Sequence, residues 1–264
     1  GWCRVNIFIF ETKKQILGVA LWTVALLLVV WGLTVGVYPS FQSSISSIKH
    51  MIESFPAGFA AAFGVEMSNL FNFGGFYNFS FGYVSVMGAI MAAFLGISLF
   101  SREARSKCED FLLTKPISRG TLFLIKFVVG IVLLCCANIF YLIVVIVVGS
   151  AHNLSMFLPG LSLLLTQLVV YSVSILCAIF ARKVRSVSGM ATVIGFGAFI
   201  ISALSNMLNE PFMRYLDVLK YFEPADVIAQ GHYDFRFTFV ALCVFFAMTA
   251  SAYIRYTTRD TRSV

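Results

Sequence analysis

The chain is short of charge: 12% of its 264 residues are Asp, Glu, Lys or Arg, while 59% are hydrophobic and the mean hydropathy is +0.91. Soluble domains carry about 25% charged residues, and half that amount cannot cover a water-soluble globule of this length. No Gly-Lys pair occurs anywhere, which excludes a Walker-type phosphate loop and ATP hydrolysis by that route within this chain. The three histidines, His50, His152 and His232, and the six cysteines show no metal-ligand spacing. Cys3 and Cys108 fall in charged segments, and Cys135, Cys136, Cys177 and Cys243 within apolar runs, so no disulfide framework is expected.

Six long runs fill the chain instead: Ile16–Val37, Phe81–Phe100, Thr121–Val148, Met156–Ala181, Val187–Leu208 and Phe237–Tyr256. Each is long enough to cross ~30 Å of hydrocarbon as a helix at ~1.5 Å per residue. None shows the alternation of a membrane barrel strand. The expected fold is therefore an all-α polytopic membrane protein, a single domain over residues 1–264 with six transmembrane helices. The first run is too long for the core of a signal peptide and has no small-x-small site after it. Only Lys126 and Arg255 interrupt the runs with charge, and both lie near enough to a run end to snorkel towards water.

Lys and Arg divide unevenly between the two sides. Fifteen of the nineteen fall at the chain ends, in the 101–119 segment with nearby Lys126, in the 182–185 turn or at Arg255; Lys49, Arg214, Lys220 and Arg236 fall opposite. The positive-inside rule puts both termini and the 101–119 segment in the cytoplasm. The net charge of +7 then reflects topology, because no basic stripe is interleaved with stacking aromatics as nucleic-acid binding would require.

Several catalytic and transport chemistries lack their residues. No Asp, Glu or His sits near the middle of a run, which disfavours a proton-coupled carrier. Asn138, Gln167 and Asn206 are the larger buried polar candidates, and they suit interhelical hydrogen bonds. Ser188-Gly189 offers a hydrolase nucleophile no histidine partner. Gly74-Gly75 is too little for a channel filter.

Residues 4–15 mix apolar and charged side chains, the pattern of an amphipathic helix on the inner leaflet or a simple membrane-proximal anchor. The stretch Tyr38–Ser80 is crowded with Phe, including Phe73, Phe76 and Phe79, and reads as an interfacial or re-entrant outer element. After Glu210-Pro211, the residues Phe212, Tyr215, Leu216, Leu219 and Phe222 recur at helical spacing, with Arg214, Asp217 and Lys220 on the other face. That predicts one interfacial helix ended by Glu223-Pro224, either an outer gate or an anchor for the loop ends. A further short turn of helix is expected at Ala225–Gln230. Short turns make the third, fourth and fifth spans antiparallel neighbours.

The segment Ser101–Arg119 stands apart. It carries Arg102, Glu103, Arg105, Lys107, Glu109, Asp110, Lys115 and Arg119 between two apolar runs, with Phe111, Leu112 and Leu113 just before a Pro116-Ile117-Ser118-Arg119 turn. A cytoplasmic segment with a small apolar patch suits a contact with another protein. Its Glu103, Leu112, Leu113, Pro116, Ile117, Ser118, Arg119 and Lys126 resemble the pattern between the second and third spans of type-2 ATP-binding-cassette (ABC) export permeases. The family's Gly-Thr is replaced near Ser106-Lys107. Phe55-Pro56 through Ala62-Phe63-Gly64 is similar to another element of such permeases, and the six-span plan extends the resemblance over most of the chain.

The resemblance implies a multi-pass permease of the cell (plasma) membrane, bacterial in type, that forms the translocation path of an exporter. It implies a coupling helix using Glu103, Glu109, Phe111, Leu112, Leu113, Pro116 and Arg119 against a separate ATPase subunit, which binds ATP and Mg. No cofactor and no catalytic residue are expected in this chain. A second permease, identical or paralogous, completes the unit, and the helices around Phe212, Tyr215, Leu216, Leu219 and Phe222 act as the outer gate. The Phe-rich outer elements and uncharged spans favour an amphiphilic cargo: a drug, a peptide or a lipid-like molecule. The alternatives are a membrane scaffold or sensor subunit without transport and, further off, an ion-coupled carrier.

Overall fold

The computed structural model describes residues 2–44, 50, 72–106, 118–152, 154–181, 184–208 and 210–258. Among these the chain is helical and has no strand. Helix α1 (Trp2–Trp31) passes through a π-helical stretch (Gly32–Val37) into α2 (Tyr38–Ser43). Then come α3 (Phe73–Ser106), α4 (Arg119–Ser150), α5 (Phe157–Phe180) and α6 (Val187–Leu208). Short α7 (Pro211–Leu216), a 3-10 turn (Val218–Lys220) and α8 (Pro224–Gln230) precede the last long helix, α9 (Phe235–Thr258).

Six helical stretches are long and apolar enough to cross a membrane: Ile7–Ser43, Phe73–Ser101, Arg119–Ser150, Phe157–Phe180, Val187–Leu208 and Phe235–Thr258. They coincide in number and order with the apolar runs, because in hydrocarbon the backbone must satisfy its own hydrogen bonds within each crossing segment. The first two begin earlier than the runs. Residues 4–15 are not a separate surface helix; no Gly or Pro interrupts the chain between Arg4 and Leu17, and they form the opening turns of α1. Phe73, Phe76 and Phe79 likewise belong to the first turns of α3 rather than to a loop. The π stretch has a local cause. Pro39 has no N–H to give to the carbonyl four residues back, and the ladder widens in the turn before it.

Helix α3 is the hub. Of its apolar stretch 78% is buried, against 22% in the first span and 17% in α6 and in α9, which therefore turn most of their surface outwards. Its buried side includes small residues among larger ones: Ala89, Ala92 and Ala93 are wholly buried, and Gly88 lies against Leu163 and Gln167 of α5. Small residues let helices approach closely where no hydrophobic force acts between them. Helix α5 packs on α3, α4 and α9, and α1 on α4 and α3.

One expectation about neighbours is corrected. The fifth span does not pack chiefly on the fourth despite the short turn between them; α6 lies on α3. Gly195 of α6 sits so tightly on Ile90 of α3 that a Cβ there would strike the Ile90 side chain.

Candidate functional site

The two ends of the bundle differ in chemistry. At the end that holds the first and last long-helix termini, α3 runs out at Ser106 and α4 starts at Arg119. The start of α4 rests on the Ser118 side chain. Ser118 is its N-cap in extended conformation, and its Oγ accepts from the Thr121 N–H at 3.3 Å. Arg119 is the first helical residue. Glu103 falls in the last turns of α3, but its side chain lies outside the described residues, as do Glu109, Phe111, Leu112, Leu113 and Pro116.

Beneath that segment the helix ends are fastened together. Phe100 of α3 packs on Phe123 of α4 at 5.0 Å between ring centres and edge-on to Tyr256 of α9 at 6.0 Å. Phe123 also meets Tyr253 at 5.4 Å. Lys126 does not snorkel to water. It is 1% exposed, and its Nζ donates to the Leu99 carbonyl at 3.0 Å and stands 5.9 Å from the Phe100 ring centre. The Leu99 carbonyl lies about two turns before the end of α3 at Ser106, so the ammonium is a second donor to a helical carbonyl and does not cap the helix end. Sequence reading placed Lys126 near an end but could not see the neighbouring helix that receives it. Gln15 of α1 adds a tie at the same end, donating to Ser98 Oγ of α3 at 2.9 Å.

Midway along the bundle the polar residues find each other. Asn138 of α4 donates to Gln167 Oε1 of α5 at 2.5 Å, and Gln167 Nε2 donates to the Gly88 carbonyl of α3 at 3.2 Å. Tyr77 and Tyr141 share a buried hydroxyl contact at 2.9 Å. The expected interhelical role thus holds for Asn138 and Gln167; for Asn206 no such bond is present among the described residues. Cys135, Cys136, Cys177 and Cys243 are free thiols on the spans.

The opposite end is closed by a cap, residues 210–234. The expected single helix through Phe222 does not form: α7 stops at Leu216, Asp217 leaves the helical region at φ −88°, ψ 88°, and a 3-10 turn follows. The reason is Asp217, whose Oδ1 accepts the Leu219 N–H at 3.1 Å and so restarts the chain as an N-cap. The five proposed gate residues therefore split. Phe212, Tyr215 and Leu216 are exposed, Phe212 by 69%, while Leu219 and Phe222 are buried. Asp217 is not on a solvated face, as the spacing suggested, but 0% exposed.

Side chains sew the cap to the spans. Asn78 of α3 donates to Glu223 Oε1 and accepts from the Ala225 N–H, both at 3.1 Å, which caps α8 from another helix. Tyr233 Oη donates to the Leu158 carbonyl of α5 at 2.6 Å, and Tyr221 Oη to the Tyr215 carbonyl at 2.5 Å. Arg214 pairs with Asp226 while its guanidinium lies 4.3 Å from the Phe237 ring centre. Gly231, at φ 74°, ends α8 in the left-handed conformation that glycine adopts without strain. Burial pushes the Asp217 carboxyl up from its ordinary 3.8 to about 6, against the opposing pull of Ser202, Lys220 and the Leu219 N–H. Burial also raises Tyr221, with the Asp217 charge adding to it, and raises Tyr233.

Six helices long and apolar enough to cross a membrane define a multi-pass membrane protein. The family described as ABC-2 family transporter protein matches residues 5–261, nearly the whole chain. The chain belongs to that family and is a membrane permease of an ABC transporter. No curated protein and no solved structure matches it.

Proposed function

We propose that the chain is the permease of an ATP-driven exporter, coupled through residues 101–119 to a separate ATPase that binds ATP and Mg. The observation that carries this reading is the family match together with the place of that segment: it joins α3, the buried hub, to α4, whose first turn is capped by the motif's own Ser118. A push on the segment therefore acts directly on the helix around which the others pack. Phe111, Leu112 and Leu113 fill an apolar groove of the ATPase, each burial worth about 1–3 kcal/mol. Glu103, Glu109 and Arg119 orient the contact more than they strengthen it, and Pro116 shapes the turn before Ser118.

In this reading both termini face the cytoplasm and the cap faces outwards, as the distribution of Lys and Arg favours. Two permeases, identical or paralogous, line the path. Phe212, Tyr215 and Leu216, exposed on the cap, form the movable side of the outer gate, and Leu219 and Phe222 are its anchors. The apolar spans and aromatic cap favour an amphiphilic cargo.

The test is co-purification with the cognate ATPase and measurement of ATP hydrolysis, comparing the wild type with Leu112→Asp/Leu113→Asp. Loss of assembly, with the six-span protein still inserted, supports the docking assignment. Normal assembly and hydrolysis in the variant would show that the assignment is wrong. ATP-dependent transport in proteoliposomes then separates an exporter from a scaffold that binds the same partner.

A further inference from the structure

The cap contains a carboxylate in an unusual position. Asp217 is 0% exposed at the break between α7 and the 3-10 turn. One oxygen, Oδ1, is held by the Leu219 N–H, while Oδ2 is buried with no hydrogen-bond partner. The Ser202 hydroxyl of α6 favours the charged form, yet Oδ2 is left without a partner. A carboxylate oxygen held dry and unpaired is costly as an anion and much less so as a neutral acid.

The surroundings do not neutralise it. Lys220 on the same turn attracts the anion, but Glu223 opposes it. Arg214, the nearest guanidinium along the chain, is committed to Asp226 and the Phe237 ring. The turn packs against α3, α5, α6 and α7. Of these α6 carries no Asp, Glu, His, Lys or Arg, and α5 contributes as titratable groups only Tyr171 and Cys177. Tyr77 and Tyr83 are the titratable groups in the opening turns of α3, and Tyr221 follows the turn itself.

We propose that Asp217 is a proton-binding site of the cap, and that its protonation locks the 3-10 turn, with Leu219 and Phe222, onto the ends of α5 and α6. The proton goes to the carboxylate and no other bond changes. An acid raised in the docked state stabilises docking fully below its ordinary value, and that stability is lost as pH rises through about 6. Acid tightens the cap; neutral pH loosens it. The proposal concerns this end of the molecule whatever its partner or cargo, so its failure leaves the permease reading untouched.

The experiment is amide hydrogen exchange across Val218–Phe222 in the full chain held in lipid nanodiscs, corrected for intrinsic rates. Between about pH 7.5 and about pH 5 the protection of these amides is expected to rise about tenfold. Asp217→Asn, a neutral isostere, is expected to show the high protection at both values. Ser202→Ala removes a group that favours the anion and moves the wild-type midpoint upwards. Equal protection in the wild type at both values, or a pH dependence that survives Asp217→Asn, would overturn the proposal. If Asp217→Asn does not assemble, the midpoint in Ser202→Ala decides: an unmoved midpoint rejects the site.

Discussion

Asn138 and Gln167 show what a polar residue does in a span with no charge to pair. Each is buried, each meets the other, and Gln167 also reaches the Gly88 carbonyl of α3. Interhelical hydrogen bonds of this kind contribute about 0.6–1.7 kcal/mol in hydrocarbon. A double-mutant cycle with Asn138→Leu and Gln167→Leu is expected to give a coupling energy in that range, read from thermal unfolding in detergent. The single Asn138→Leu change destabilises more than half of the double change, because it strands Gln167 Oε1. The two residue types were legible as interhelical candidates in the sequence; the choice of each other was not, since they stand on different helices. Lys126 makes the same point more strongly. Its position near a helix end suggested water, whereas its Nζ donates to the Leu99 carbonyl of α3.

At the scale of elements, the start of α4 adjoins the proposed coupling segment. Ser118 supplies the hydroxyl that accepts from Thr121, and Arg119 opens the helix. Ser118→Ala is expected to cost about 1 kcal/mol in the first turn of α4. Faster amide exchange confined to Arg119–Phe123, with Ser118→Asp retaining protection, checks it. The cap tells the opposite story. Helical spacing from Phe212 to Phe222 fits one amphipathic helix, and local periodicity alone gave no warning of a break. Asp217 made the difference, because Asp competes for backbone N–H groups where it can cap and its burial depends on α6 and the 3-10 turn closing over it. Its break leaves Phe212, Tyr215 and Leu216 outside and takes Leu219 and Phe222 inside.

At the scale of the whole molecule, the arrangement of spans depends on close approach at a few glycines. Gly195 faces Ile90 of α3 with no room for a Cβ, whereas Gly197, two residues on, has open space around it. Gly195→Val is expected to lower the thermal midpoint by the equivalent of about 1–3 kcal/mol through overpacking. Gly197→Val is expected to be near neutral, and comparable losses in both would argue against α6 being seated on α3 through Gly195. The same seat connects the two ends: α3 carries the connection to residues 101–119 at one end, and Asn78 holds α8 of the cap at the other. A single rigid helix thus spans the distance between the proposed coupling contact and the proposed gate.

Much of this protein is determined along the chain. Hydropathy sums over consecutive residues, so the six spans, their order and the charged break at 101–119 follow from the sequence alone. The Ser118 cap, a contact within one turn, came from the structure. Tertiary structure decided the rest: α6 on α3 rather than on α5, the Lys126 contact with α3, the Asn138–Gln167–Gly88 tie and the burial of Asp217. Each of these depends on shape and on polar groups brought together from distant parts of the chain. In a bundle whose surfaces are nearly all apolar, hydrophobicity does not distinguish one helix face from another; small residues and the few buried polar groups do.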